Sequence, residues 1–252
     1  MSDGDFSFRA GSIRVPPVRI GGTPMVPENE TLTDMPQPAA KDSARRQFDH
    51  WAHSYDRSWL NELVFFPSIR ICMEEIARWK SRRGSTRYRL LDVGCGTASL
   101  ITLLARDSAA ERLVGLDFSA AMVGRAAEKI AADGADKLHV VNGDAERLPF
   151  ADGAFDIVTC CNSFHHYPQQ RAAVREFHRV LRPGGRLILV DGFRDNVIGW
   201  FVFDVGVTLA EGQVHHASWS ALRGMIEQAG FAGLRQRKLN VFAPLLVNIA
   251  DR

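Results

Sequence analysis

Three acids stand out by what surrounds each of them. Asp92 closes a short apolar run from Tyr88 to Leu91 and leads into a turn through Gly94, Cys95 and Gly96. A strand, a tight glycine turn and a helix together bring backbone close to a small molecule. Gly94 and Gly96 have no side chain to block the approach, and the next helix begins with free N–H groups. A dinucleotide fingerprint needs a small third residue, but Ser99 stands there, and Asp92 in front would repel a pyrophosphate. The same carboxylate would hold an ammonium group. The pattern suits a cofactor bearing an amino acid and disfavours a nicotinamide-dependent oxidoreductase. Asp117 follows the turn at about the twenty-residue spacing at which an acid accepts from ribose hydroxyls. Its other reading is a cap on a helix beginning near Ser119. Asp144, in Asn142-Gly143-Asp144-Ala145, would accept from an exocyclic adenine amine.

Two histidine pairs are the candidates for a general base. His165-His166 follows Cys160-Cys161-Asn162 directly, and His215-His216 precedes the final helix. Imidazole titrates in the right range for that role. Adjacent residues cannot both point one way, so His166 and His216 are the individual candidates, and shaping a pocket or capping a helix is the competing role. Cys160, Cys161, His165 and His166 are zinc-type ligands at a spacing no structural zinc site uses. Neighbouring strand residues also face opposite sides, so no metal is expected.

The elements that must position these residues follow from hydropathy. Apolar runs at 87–92, 112–117, 138–141, 155–160 and 186–191 read as strands. Amphipathic segments at 99–106, 120–133 and 170–181 read as the helices between them. That alternation gives right-handed βαβ units and an α/β fold whose parallel sheet is covered on both faces. Before it come helical texture from Asp42 through FDHWAHSYD and a helix near Ser68 to Lys80. After it, Ser218 or Ser220 caps a last helix that Gly230 ends, and 239–249 supplies a closing strand. Ligands in open parallel sheets bind beyond the carboxyl ends of the strands, where all three acids fall.

The 252 residues suit one large domain, or one with an arm. Six of the eleven prolines lie in residues 1–40, which read as an extended or disordered leader before a domain at 41–252. A formal charge of +2 gives no case for nucleic acid. Basic clusters at Arg82-Arg83 and Arg235 to Lys238 read as solvated faces. Four cysteines without a C-x-x-C pair, no apolar signal core and no apolar stretch long enough to span a bilayer point to a cytoplasmic protein.

Seven segments in order resemble the class I S-adenosylmethionine-dependent methyltransferases, in particular the small-molecule group with the quinone-biosynthesis C-methyltransferases. They are DVGCGTA, GLDFSAAMV, NGDAERLPF, FDIV, SFHHYP, LRPGG and EQAGF, spread over roughly residues 45–235. The family's third glycine is Ala98 here. The resemblance implies a Rossmann-like, doubly wound, mostly parallel seven-stranded sheet with helices on both faces, and S-adenosylmethionine as cofactor. It sets Asp92, Gly94, Cys95 and Gly96 against the methionine part, Asp117 on the ribose, and Phe118 and Met122 against the adenine. Asp144 and the Ala145 N–H would read the adenine edge, Asn162 would lie under the sulfonium, and Tyr55 would close over the cofactor. Tyr55 and Trp51 are otherwise core aromatics. The 193–218 insert, with Phe193, Trp200, Phe201 and Phe203, would line an aromatic or lipophilic acceptor, or pack on the core or a second subunit. Transfer to oxygen or carbon of a small organic molecule is the implied activity. A cofactor-binding scaffold without turnover is the alternative. RNA methylation is weaker, for lack of a basic stripe with aromatics. Oligomeric state is left open.

Overall fold

The computed structural model describes residues 59–84, 87–192, 217–240 and 244–252. The Pro-rich leader, Trp51, Tyr55, His215, His216 and residues 193–216 of the insert lie outside the described residues.

Helix α1 (Trp59–Arg83) leads into strand β1 (Tyr88–Val93) and helix α2 (Ser99–Leu104). Strand β2 (Ala110–Asp117), helix α3 (Ala120–Asp133) and strand β3 (Leu138–Asn142) follow. Strand β4 (Phe155–Cys161) passes through a 3₁₀ turn (Phe164–His166) into helix α4 (Gln170–Val180) and strand β5 (Leu181–Gly192). Helix α5 (Trp219–Gln228) and strands β6 (Ala232–Asn240) and β7 (Pro244–Asp251) close the chain. The seven strands form one sheet in the order β3-β2-β1-β4-β5-β7-β6. Strands β1 to β5 are parallel, and β7 runs antiparallel to both β5 and β6.

Residues of β1 alternate between the two sheet faces as the strand period demands. Leu91 and Val93 join Phe177 of α4 and Leu222 of α5 in one buried cluster. Tyr88 and Leu90 join Ile76 and Trp79 of α1 and Ile101 of α2 in the other. Both faces of the sheet are thus apolar and covered, which is why its strands read as continuous hydrophobic runs. The order reverses between β1 and β4, so a crevice opens at their carboxyl ends.

Three sequence expectations are corrected. The span 239–249 is not one strand: β6 and β7 form an antiparallel pair, and β6 begins seven residues before the expected start, at Ala232. Arg235, Arg237 and Lys238 hid it, because a charged edge strand has the texture of a solvated loop. Helix α1 also runs well beyond 68–80 and contains Pro67, which reads in sequence as a helix start. Strand β5 starts at Leu181 rather than 186, taking in the Pro183-Gly184-Gly185 turn signal.

Candidate functional site

The crevice holds a cavity of about 540 Å³. Asp92, Gly94, Cys95, Gly96, Asp117, Phe118, Met122, Asp144, Ala145, Asn162 and His166 all line it. The strands thus bring together every described residue proposed from the sequence, on one wall or another.

Asp92 is the penultimate residue of β1, at 4% exposure, and its Oδ1 accepts from Thr159 Oγ1 at 2.7 Å. Burial raises its pKa to about 7; the Thr159 bond opposes the rise and the neighbouring Asp117 charge adds to it. Asp117 is partly occupied by its own backbone. Its Oδ2 accepts from Gly96 N–H at 2.8 Å and its Oδ1 from Ser119 N–H at 2.9 Å, so it fastens the glycine turn to the next element. The cap of α3 is Ser119, whose hydroxyl accepts from Met122 N–H at 3.2 Å. Asp144 accepts from Glu146 N–H at 2.9 Å through Oδ1.

Gly94 stands at φ 71°. A Cβ there would collide with Ser163 Oγ and come within 2.9 Å of the Tyr167 hydroxyl. The close approach that requires this glycine is therefore with the chain's own Ser163 and Tyr167. Ala98 also adopts the left-handed region, at φ 64°, and is fully buried. That region explains why a glycine suits the position, since an alanine there costs about 1–2 kcal/mol.

The histidine pair splits as adjacency demands. His165 is buried, with Nδ1 2.6 Å from Asp191 Oδ1 and its N–H donating to Asp191 Oδ2 at 2.9 Å. His166 turns to the cavity, its ring centroid 4.0 Å from that of His165. The carboxylate partner thus belongs to His165, which the sequence did not single out. Cys160 and Cys161 face opposite sides: Cys160 meets Ser163 and Tyr167, whereas Cys161 meets Cys72.

Sequence reasoning also passed over Phe66, Ile69, Lys129, Ser163 and Tyr167, which line the same cavity. Phe66 and Ile69 carry a hydrophobic signal indistinguishable from that of core residues. Lys129 Nζ donates to Thr97 Oγ1 at 3.1 Å across two elements, a contact that no local pattern encodes. Asn162, at φ 53°, offers a sharper signal. Its Oδ1 accepts from Ser68 Oγ at 3.3 Å, while its Nδ2 is buried with no partner among the described residues. A buried donor left unpaired costs about 1–3 kcal/mol unless a ligand satisfies it.

Residues 91–189 match the family model described as a methyltransferase domain. A demethylmenaquinone methyltransferase of Listeria monocytogenes is 31% identical over 162 residues, covering 64% of this chain and 66% of that one. The corresponding enzyme of Lactiplantibacillus plantarum is 29% identical over 220 residues, covering 77% and 89%. In sequence and in fold the chain is similar to the S-adenosylmethionine-dependent methyltransferases. The first relative is spanned over just under two thirds of its length. Among solved structures, magnesium protoporphyrin IX methyltransferase from Synechocystis PCC 6803 with bound SAH superposes at TM-score 0.64. It is 21% identical, with 85% of this chain and 98% of that one covered. An S-adenosylmethionine-dependent methyltransferase from Aquifex aeolicus superposes at 0.59, with 20% identity and coverage of 81% and 97%.

The residues lining the cavity fit S-adenosylmethionine, the methyl donor of these relatives. Acids line the cavity, as a ligand with sulfonium and ammonium charges requires. The orphaned Asn162 amide supplies a donor, and Lys129 is the lysine or arginine lining the cavity among the described residues. The volume falls in the roughly 300–1,000 Å³ range of small-molecule sites.

Proposed function

We propose that this chain transfers a methyl group from S-adenosylmethionine to an oxygen or carbon of a small organic acceptor, aromatic or lipophilic in character. The observation that carries the reading is the convergence of Asp92, Asp117 and Asp144, from the ends of three neighbouring strands, on one cavity. When bound, S-adenosylmethionine supplies an electrophilic methyl carbon on sulfur; the protein positions the partners. Asp92 would pair with the ammonium, which supplies the countercharge that its buried carboxylate lacks. Asp117 would accept from the ribose hydroxyls with the lone pairs left over from Gly96 and Ser119. Phe118 and Met122 would flank the adenine, and Asp144 and the Ala145 N–H would face its edge. Asn162 would donate from the cavity floor. Tyr55 is proposed to close over the cofactor.

An oxygen or carbon acid must lose a proton; His166, which lines the cavity, would take it, with His216 as the second candidate. His165, tied to Asp191, would hold the neighbouring ring in place. A lipophilic acceptor is supported by Phe66 and Leu103, which line the cavity yet stay 57% and 41% exposed. The first two relatives carry the name of an enzyme acting on demethylmenaquinone, which supports the same class of acceptor. The near-neutral formal charge supports a small molecule over nucleic acid. The free thiols support a cytoplasmic setting. Among the described residues no helix is long and apolar enough to cross a membrane.

Calorimetry with S-adenosylhomocysteine tests the site. Wild type should bind it, and Asp117→Ala should bind at least about tenfold more weakly, the loss of roughly one charged hydrogen bond. An absence of binding, or equal binding by the variant, overturns the proposal. Transfer of label from methyl-labelled S-adenosylmethionine into a metabolite pool then identifies the acceptor.

A further inference from the structure

We propose that Cys72 and Cys161 are a reversible disulfide site, reached by a low-molecular-weight disulfide oxidant through the cofactor cavity. Cys72 lies on α1 and Cys161 at the end of β4, 89 positions apart in sequence, yet their Sγ atoms are 3.0 Å apart. Both are free thiols. Cys72 is fully buried, whereas Cys161 lines the cavity beside Asn162. A soluble oxidant therefore meets Cys161 first and finds Cys72 behind it, in the position of a resolving thiol. The remaining cysteines do not compete. Cys160 turns to Ser163 and Tyr167 on the other side of β4, and Cys95 lies against the carbonyl of Gly96.

The chemistry is thiol–disulfide exchange. The Cys161 sulfur, on losing its proton, attacks one sulfur of the oxidant RSSR, and RSH leaves. The Cys72 sulfur then attacks Cys161 Sγ in the mixed disulfide and expels the second RSH. Two thiol protons end on the two leaving groups, and two electrons pass from the protein to RSSR. The hydrogen bond to Cys72, together with burial, pushes the Cys161 thiol well above its ordinary pKa. The reaction therefore belongs to the slow range of minutes to hours. The bond would tie α1 to the sheet at the cavity wall. Phe66 and Ile69 of that helix line the cavity, and Ser68 holds Asn162.

Oxidised glutathione in excess, added to the folded full-length protein, tests this by intact mass and non-reducing peptide mapping. We expect a loss of about 2 Da and one linked peptide pair containing Cys72 and Cys161, reversed by a dithiol reductant. Cys72→Ala and Cys161→Ala should each abolish the linked pair. The thermal midpoint of the oxidised protein should rise by roughly 5 °C, because the bond closes a long loop. Saturating S-adenosylhomocysteine should slow oxidation at least about tenfold. No mass change in folded protein, while the urea-unfolded chain oxidises, overturns the proposal. So does a link between other cysteines, or glutathione that stays on Cys161. Oxidation at an unchanged rate under saturating ligand overturns the route through the cavity. Ligand binding is read separately by calorimetry, so failure of the methyltransferase reading would show there and leave the cross-link readout intact.

Discussion

Asp92 has a carboxylate pushed up to about pKa 7 and a ligand pocket in front of it. In the unfolded chain the same group titrates near 3.8. Between these values the folded protein holds the extra proton, so Asp92 makes stability fall as pH rises from about 4 to 7, with no further change above. A cationic ligand reverses the preference, because it pairs with the ionised form. Affinity for S-adenosylmethionine should therefore rise about tenfold from pH 6 to pH 7.5, flattening above, as measured by calorimetry at fixed ionic strength. Asp92→Asn should abolish that pH dependence, bind more weakly at pH 7.5 and leave the ligand-free protein at least as stable at that pH. A wild-type affinity that does not change with pH would contradict this assignment. Gly94 and Asn162 are residue-scale features of another kind. The glycine in DVGCGTA was legible as a site of close approach, but Ser163 and Tyr167, which approach it, lie about seventy positions away and leave no mark beside it.

Helix α2 is six residues long and is preceded by Ala98, a buried alanine in left-handed backbone at its N-cap. A β-branched side chain would add both backbone strain and volume to a filled site. Ala98→Val should therefore lower stability by about 2–4 kcal/mol in urea unfolding. Ala98→Gly should stay within about 1 kcal/mol of wild type, relief of strain offsetting the lost methyl and the freer unfolded chain. A valine variant as stable as the glycine one would refute this account of the turn. Helix α5 was legible at both ends. Its Ser218 cap accepts from Ala221 N–H at 3.1 Å, and Gly230 takes φ 96° just past the helix. Strand β6 was not legible, because it sits at the sheet edge, where one neighbour suffices and charged residues are tolerated. Arg235 uses that position to reach Glu75 of α1 at 3.2 Å.

At the scale of the whole molecule, the cavity joins an acidic floor to an apolar rim. Phe66→Glu should raise KM for a lipophilic acceptor roughly ten- to a hundredfold, the worth of one aromatic contact, with S-adenosylhomocysteine affinity unchanged. Equal loss of both would place Phe66 in the cofactor site instead. The sequence by itself determined the α/β alternation, the parallel core and the acids at the strand ends. These are written in local period and spacing, and a strand that ends in a turn can deliver its last residue to just one edge of a sheet. Only the tertiary structure decided which histidine holds Asp191, that the Asn162 amide has no partner among the described residues, and that Cys72 meets Cys161. Each of those contacts joins elements distant in the chain. Their geometry is set by how helices and strands pack, which no run of neighbouring residues records.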